Sequence, residues 1–328
     1  PDGCGDCLRL GIAAALCGDV AILADDGQRD GPPQPGFIAM YRLDSGAWER
    51  GETLVSPASL PGDLFGASIA CDGARVLVGA PGDPIGGPPG GSAWLYTQSA
   101  KGWELSAHFS PSQPIPTAQF GSAVALHGEF VAVGTSRHDR DNALDVGRVE
   151  IFQSHGNSWR RVAVIDPKQT TTSLRFGSSL AFTDAGRILA IGAPGFDSPV
   201  DRAGALYLVD QDKNDEWAIY TILQRPEAER LDRFGSDICA NSRYLMVGIP
   251  GSDYGASNAG ALAILSAKHP IRILCQRIEP TTSEAYLGSR LACSPVLACA
   301  TLPGATTADG QIDQVRLFAV NGSELVPL

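Results

Sequence analysis

A short block of text recurs six times along the chain and sets the period of whatever it can build. Phe176-Gly177 is followed by Ile191-Gly192-Ala193-Pro194. The same pairing returns as Phe65-Gly66 with Val78-Gly79-Ala80-Pro81, Phe120-Gly121 with Val133-Gly134, and Phe234-Gly235 with Val247-Gly248-Ile249-Pro250. Leu10-Gly11 and Leu287-Gly288 are degenerate copies at either end. The residues before the repeated glycine are spaced by 53 to 58 positions. A period this regular means one supersecondary unit repeated, each copy burying its apolar faces against the next.

Each copy reads as four short strands. In the third they run Ser122 to Leu126, Phe130 to Val133, Arg148 to Phe152 and Trp159 to Ile165, rich in Val, Ile, Leu and aromatics with turn residues between. A glycine precedes the third strand (Gly36, Gly91, Gly147, Gly204, Gly260), and Trp48, Trp103, Trp159 and Trp217 open the fourth. The first strand, as in Gly66-Ala67-Ser68-Ile69-Ala70, is made of small residues that suit a crowded innermost position. The expected fold is all-β, a β-propeller of four-stranded antiparallel blades. After a lead over residues 1–9, one domain spans 10–328, with repeats at about 10–63, 64–119, 120–175, 176–233, 234–286 and 287–328.

These motifs resemble the FG-GAP repeat of integrin α-subunit heads and of bacterial secreted or surface proteins. The resemblance implies a propeller. Integrin heads have seven blades, whereas six copies stand here, so six blades are expected and seven is the alternative. It also implies an Asp-x-Asp-x-Asp-Gly-x-x-Asp calcium hairpin, because alternating carboxylates wrap one hard cation. The hairpins His127-Gly128-Glu129, Asp184-Ala185-Gly186 and Asn241-Ser242-Arg243 leave no room for that loop. Asp210-x-Asp212-x-Asn214 has the opening spacing but Asp215 at the sixth position and Ala218 at the ninth. No metal or other cofactor is therefore expected, with Asp210, Asp212 and Asn214 as the remaining calcium candidates.

A net charge of −11 disfavours nucleic acid, which selects a basic face, and simple attraction to anionic lipid. The 8 cysteines lack a metal-ligand pattern and point to disulfides in an oxidising compartment: extracellular, cell-surface or periplasmic. Cys293 and Cys299 lie on the first two strands of the last repeat and are an expected pair. Cys4-Gly5-Asp6-Cys7 is expected to bridge the N-terminus. The apolar run Leu8 to Leu23 is interrupted by Gly18 and Asp19 and is too short to span a bilayer. It aligns with the first strands of the other copies, so the chain is expected to begin after any signal peptide is removed. Asn321-Gly322-Ser323 is a glycosylation sequon.

The long loops between second and third strands open on one face, where propeller loops carry function. Their polar residues, Arg137, His138, Asp139, Asp141, Asp197, Asp253 and Tyr254, form the expected ligand-binding rim. No Gly-x-Ser-x-Gly elbow, phosphate loop or paired metal-ligand histidines are present. The sequence thus reads as a non-catalytic binding or adhesion module for a protein or glycan. The alternatives are a structural subunit of an extracellular assembly, and a hydrolase or lyase whose site is built from several blades.

Overall fold

A computed structural model describes residues 10–327 apart from 29–31, 59, 85–89, 157, 184–185, 242, 254–255, 268–270, 272, 277–284, 294–296, 303–313 and 322–323. Two compact units divide the chain: residues 1–139 with 147–166, and residues 140–146 with 167–328.

The first unit holds three blades. They comprise β1 (Ala14–Cys17), β2 (Val20–Asp25), β3 (Phe37–Asp44) and β4 (Ala47–Val55); β5 (Ser68–Asp72), β6 (Arg75–Ala80), β7 (Ser92–Ser99) and β8 (Gly102–Phe109); and β9 (Phe120–His127), β10 (Phe130–Thr135), β11 (Arg148–His155) and β12 (Ser158–Ile165). The second unit holds three more. They comprise β13 (Leu180–Phe182), β14 (Ile188–Ala193), β15 (Ala205–Gln211) and β16 (Trp217–Leu223); β17 (Ile238–Ala240), β18 (Tyr244–Ile249), β19 (Ala261–Ser266) and β20 (Ile273–Gln276); and β21 (Leu291–Cys293), β22 (Leu297–Leu302), β23 (Gln314–Asn321) and β24 (Glu324–Pro327). Each set is an antiparallel sheet in chain order, so the protein is all-β with six propeller blades. No helix occurs among the described residues, and none is therefore long and apolar enough to cross a membrane.

The second strands read as continuous apolar runs because both their faces are covered. Val76 and Val78 pack with Ile22, Ile38 and Met40 of blade one, while Leu77 between them packs with Phe120, Val131 and Val133 of blade three. The period-2 alternation of a strand is thus divided between two neighbours. The repeated Phe residues, Phe65, Phe120, Phe176 and Phe234, are fully buried. The outer strands are mostly exposed, and a bulge interrupts the pairing of third and fourth strands in blades one to five. A bulge twists an edge strand and blunts it against pairing with another chain.

The repeated glycines are explained by close approach. A Cβ on Gly79 would lie 2.0 Å from the carbonyl oxygen of Gly121 in the next blade, and one on Gly192 would lie 2.1 Å from that of Gly235. Backbone carbonyls in a paired sheet cannot retreat cheaply. Gly79→Ala is therefore expected to cost about 3 kcal/mol in urea unfolding. Gly51→Ala, whose Cβ meets only the Met40 carbonyl oxygen at 3.5 Å, should stay within about 0.5 kcal/mol of the parent. Equal losses at both positions would contradict the packing argument.

Two disulfides, Cys17–Cys71 and Cys239–Cys293, join first strands of neighbouring blades, each with a sequence separation of 54. The expected Cys293–Cys299 pair is corrected by this. Ala292 faces Cys299 and Cys293 faces Ala298 across the β21–β22 ladder, so the two cysteines project from opposite faces. Cys299 is a free thiol, its pKa pushed up by burial. Cys4 and Cys7 lie outside the described residues. Asn321 is the last residue of β23, at the edge of the hairpin to β24.

Candidate functional site

In an antiparallel meander, second and fourth strands end where first and third strands begin. The loops entering each third strand and the connections between blades therefore share one end of every blade. At that end exposed charges overlie buried polar groups.

Of the predicted rim residues, Arg137, Asp139, Asp141, Asp197 and Asp253 are exposed. Asp197 accepts the Arg202 N–H (3.0 Å) and Asp253 accepts the Asn258 N–H (2.8 Å), so both carboxylates close their own loops. Asp141 has a positive φ of 52° and pairs with its neighbour Arg140 at 3.3 Å. Arg137, His138 and Asp139 belong to the first unit, and Asp141, Asp197 and Asp253 to the second. Tyr254 lies outside the described residues. The calcium candidates do not converge. Asp212 accepts the N–H groups of Asn214 (2.7 Å) and Glu216 (3.0 Å), which hold its pKa down, and so caps its hairpin turn. Asp210 sits on β15 and helps burial push the Tyr220 phenol up to about 12.

The buried groups are more informative. Three positions repeat in the four Phe-Gly copies, nine and two residues before the Phe and four after a second-strand glycine. Their backbone frame is shared. The N–H before the last position donates to the carbonyl of the middle one, as in Gly82 to Asp63 (3.0 Å), Arg137 to Ala118 (3.1 Å), Gly195 to Leu174 (3.2 Å) and Gly251 to Asp232 (3.1 Å). The sets of side chains on that frame differ. They are Ser56, Asp63 and Asp83; Pro111, Ala118 and His138; Pro167, Leu174 and Phe196; and Arg225, Asp232 and Ser252.

In the last set, Arg225 donates to Asp232 at 2.7 Å and to Ser252 Oγ at 3.3 Å, all three nearly inaccessible. In the first, Asp83 accepts the Ser92 hydroxyl (2.5 Å) and the Trp94 indole N–H (3.2 Å). Asp63 Oδ1 takes the N–H groups of Phe65 (3.0 Å) and Gly36 (3.4 Å). Burial raises the Asp63 pKa, and the charge of Asp83 raises it further against those hydrogen bonds. The exposed His108 ring stacks on Trp94 at 4.1 Å between centroids. Loss of solvation lowers its pKa, opposed by Asp83.

His138, 3% exposed, stands among charges. Arg148 makes a two-pronged pair with Asp166 (2.7 and 2.8 Å), and the buried Glu150 accepts from Ser112 and pairs with Arg161. Burial first and Arg148 second hold the His138 pKa below 6.5, against Asp166, Glu150 and Asp139. The imidazole is thus neutral at neutral pH and can accept a proton. The loops pointed to His138, but Asp63, Glu150 and Asp232 were missed. Comparing the three seam positions across repeats would have exposed Asp63 and Asp232.

Residues 48–96 match the FG-GAP repeat family. Among curated proteins none matches this sequence. Among solved structures, the chain resembles a periplasmic gluconolactonase from Pseudomonas aeruginosa, with TM-score 0.62, 15% identity, and 96% of this chain and 83% of that one covered. It also resembles a protein from Lactobacillus plantarum, with TM-score 0.56, 15% identity, and coverage of 96% and 82%. The first comparison overturns the expectation of a non-catalytic binding or adhesion module. That solved structure, named as a lactonase, has a similar fold, so the fold by itself does not imply a non-catalytic role. The disulfides mark an extracellular or periplasmic protein.

Proposed function

We propose that this β-propeller built on FG-GAP repeats is a hydrolase that opens cyclic esters. The carrying observation is the likeness, over 96% of the chain, to a structure named as a gluconolactonase. His138 supplies the chemistry that reaction needs. As water attacks the lactone carbonyl carbon, the neutral imidazole takes its proton. The ring C–O bond then breaks, the proton passes to the departing oxygen, and an open-chain hydroxy acid leaves. Exposed Arg137 and Asp139 flank this base and offer polar contacts to a hydroxylated substrate.

The test is acid release from glucono-1,5-lactone by the purified full chain, with an open-chain ester as control. Saturable hydrolysis above the buffer rate is expected for the lactone. His138→Asn should lower kcat by about 100-fold or more with the melting temperature unchanged. Because the His138 pKa is lowered, activity should persist into mildly acidic buffer and fall only where the imidazole protonates. No acceleration by the parent protein would end the proposal. Loss of activity on His108→Asn but not on His138→Asn would move the base to β8.

A further inference from the structure

We propose that Asp237 is a proton-operated latch between blades five and six. Protonated, it bonds the glycine carbonyl of the next blade as a serine does at other seams; ionised, it leaves that carbonyl without a donor. The inference is independent of the hydrolase reading.

The position lies three residues after each repeated Phe or Leu. It holds Ala13, Ser68, Ala123, Ser179 and Asp237 in blades one to five and Arg290 in blade six. Where it is serine, the hydroxyl crosses the seam. Ser68 Oγ donates to the Gly121 carbonyl and Ser179 Oγ to that of Gly235, each at 2.8 Å. The backbone around Asp237 is the same. Gly248 N–H donates to the Asp237 carbonyl at 2.9 Å, as Gly192 N–H does to that of Ser179. A Cβ on Gly248 would lie 2.0 Å from the Gly288 carbonyl oxygen, the spacing also found between Gly79 and Gly121. Gly288 thus stands where Gly121 and Gly235 receive a hydroxyl. Among the described residues no side chain donates to it.

Asp237 makes its bonds as an acceptor. Oδ2 takes the Leu291 N–H of blade six at 2.7 Å, and Oδ1 takes the N–H of Ile238 at 3.0 Å. The elements packed against it bring little charge. β18 contributes only Tyr244, at its other end, and β21 the disulfide-bonded Cys293. Arg290, exposed just before β21, is the one charge acting on Asp237 among the described residues. Burial outweighs Arg290 and both N–H bonds, and raises the pKa to about 6. A carboxyl that takes one proton from solvent keeps an oxygen for Leu291 and gains an O–H, the donor that Gly288 lacks. The folded pKa lies above the unfolded one. The stabilisation is therefore complete below the unfolded value of about 3.9 and is lost as pH rises through about 6. An Asp237–Arg290 ion pair would give the opposite slope.

Thermal melting of the full-length parent and Asp237→Asn at about pH 5 and about pH 8 tests the inference. The amide accepts and donates at every pH and so mimics the protonated acid. The two proteins should melt together at the lower pH, and the parent should melt about 4 °C below the variant at the higher. Asp237→Ser, which copies blades two and four, should also outlast the parent at the higher pH. Comparison with the parent cancels the titration of every other carboxylate. In the parent itself, the carboxyl ¹³C signal of Asp237 should titrate with a midpoint of about 6. A midpoint below about 4 would overturn the latch. So would a parent that gains on Asp237→Asn as pH rises, the mark of an ion pair with Arg290, or a difference that is the same at both pH values.

Discussion

Replacing Cys239 and Cys293 by serine is expected to destabilise the protein by about 4 kcal/mol, the chain-entropy value for a loop of this length. The bridge closes a separation of 54 residues, and its Cα atoms are 5.9 Å apart, within the ordinary range. Its placement explains the size of the effect. The seam between blades two and three is fastened by Ser68 Oγ donating to the Gly121 carbonyl, and that between blades four and five by Ser179 Oγ donating to Gly235, each at 2.8 Å. In blade five that serine is replaced by Asp237, which cannot donate when ionised and instead accepts the Leu291 N–H at 2.7 Å. The next blade also inserts Leu287 where four other copies have Phe. Both disulfides thus attach blades that carry a degenerate Leu-Gly copy, at Leu10 and Leu287. Urea unfolding of parent and double-serine variant measures the loss. Coincident midpoints would show that the bridge adds nothing beyond the packing.

Arg225→Met should cost about 3–5 kcal/mol, because it leaves the buried Asp232 carboxylate uncompensated. The ion pair itself is not a net source of stability: burial raises the Asp232 pKa in spite of Arg225. A second change should therefore rescue the first. Arg225→Met with Asp232→Leu copies the apolar character that Pro167 and Leu174 give the same two positions elsewhere, and should recover most of the loss. The double variant in the same urea experiment decides the point. If it is no more stable than Arg225→Met alone, the seam has a specific need for charge.

The fold was legible in the sequence because its causes are local and repeated. Every Phe-Gly step marks a buried ring followed by a glycine with φ between 83° and 97°. Gly79, Gly192 and Gly248 in second strands mark near-contacts with the next blade, and the regular period let blade count and strand order be read directly. The site was less legible because it is made between repeats. Asp63 lies two residues before its Phe, buried with its Oδ2 without a hydrogen bond, and nothing in the local sequence declares that burial. His138 was visible only as a polar loop residue. The charges of Arg148, Asp166 and Glu150 near it come from the third strand of the blade and the segment just after its fourth, not from the loop itself. The Cys293 pairing failed for a related reason. Proximity along the hairpin suggested Cys299, but strand alternation turned that thiol to the other face and left the partner one blade away.

The most direct test of the central claim is the initial rate of lactone ring opening as a function of the concentration of the purified parent protein. A rate that rises in proportion to protein, saturates with lactone and collapses in His138→Asn is the predicted result. A rate that stays at the buffer value at every protein concentration would contradict it.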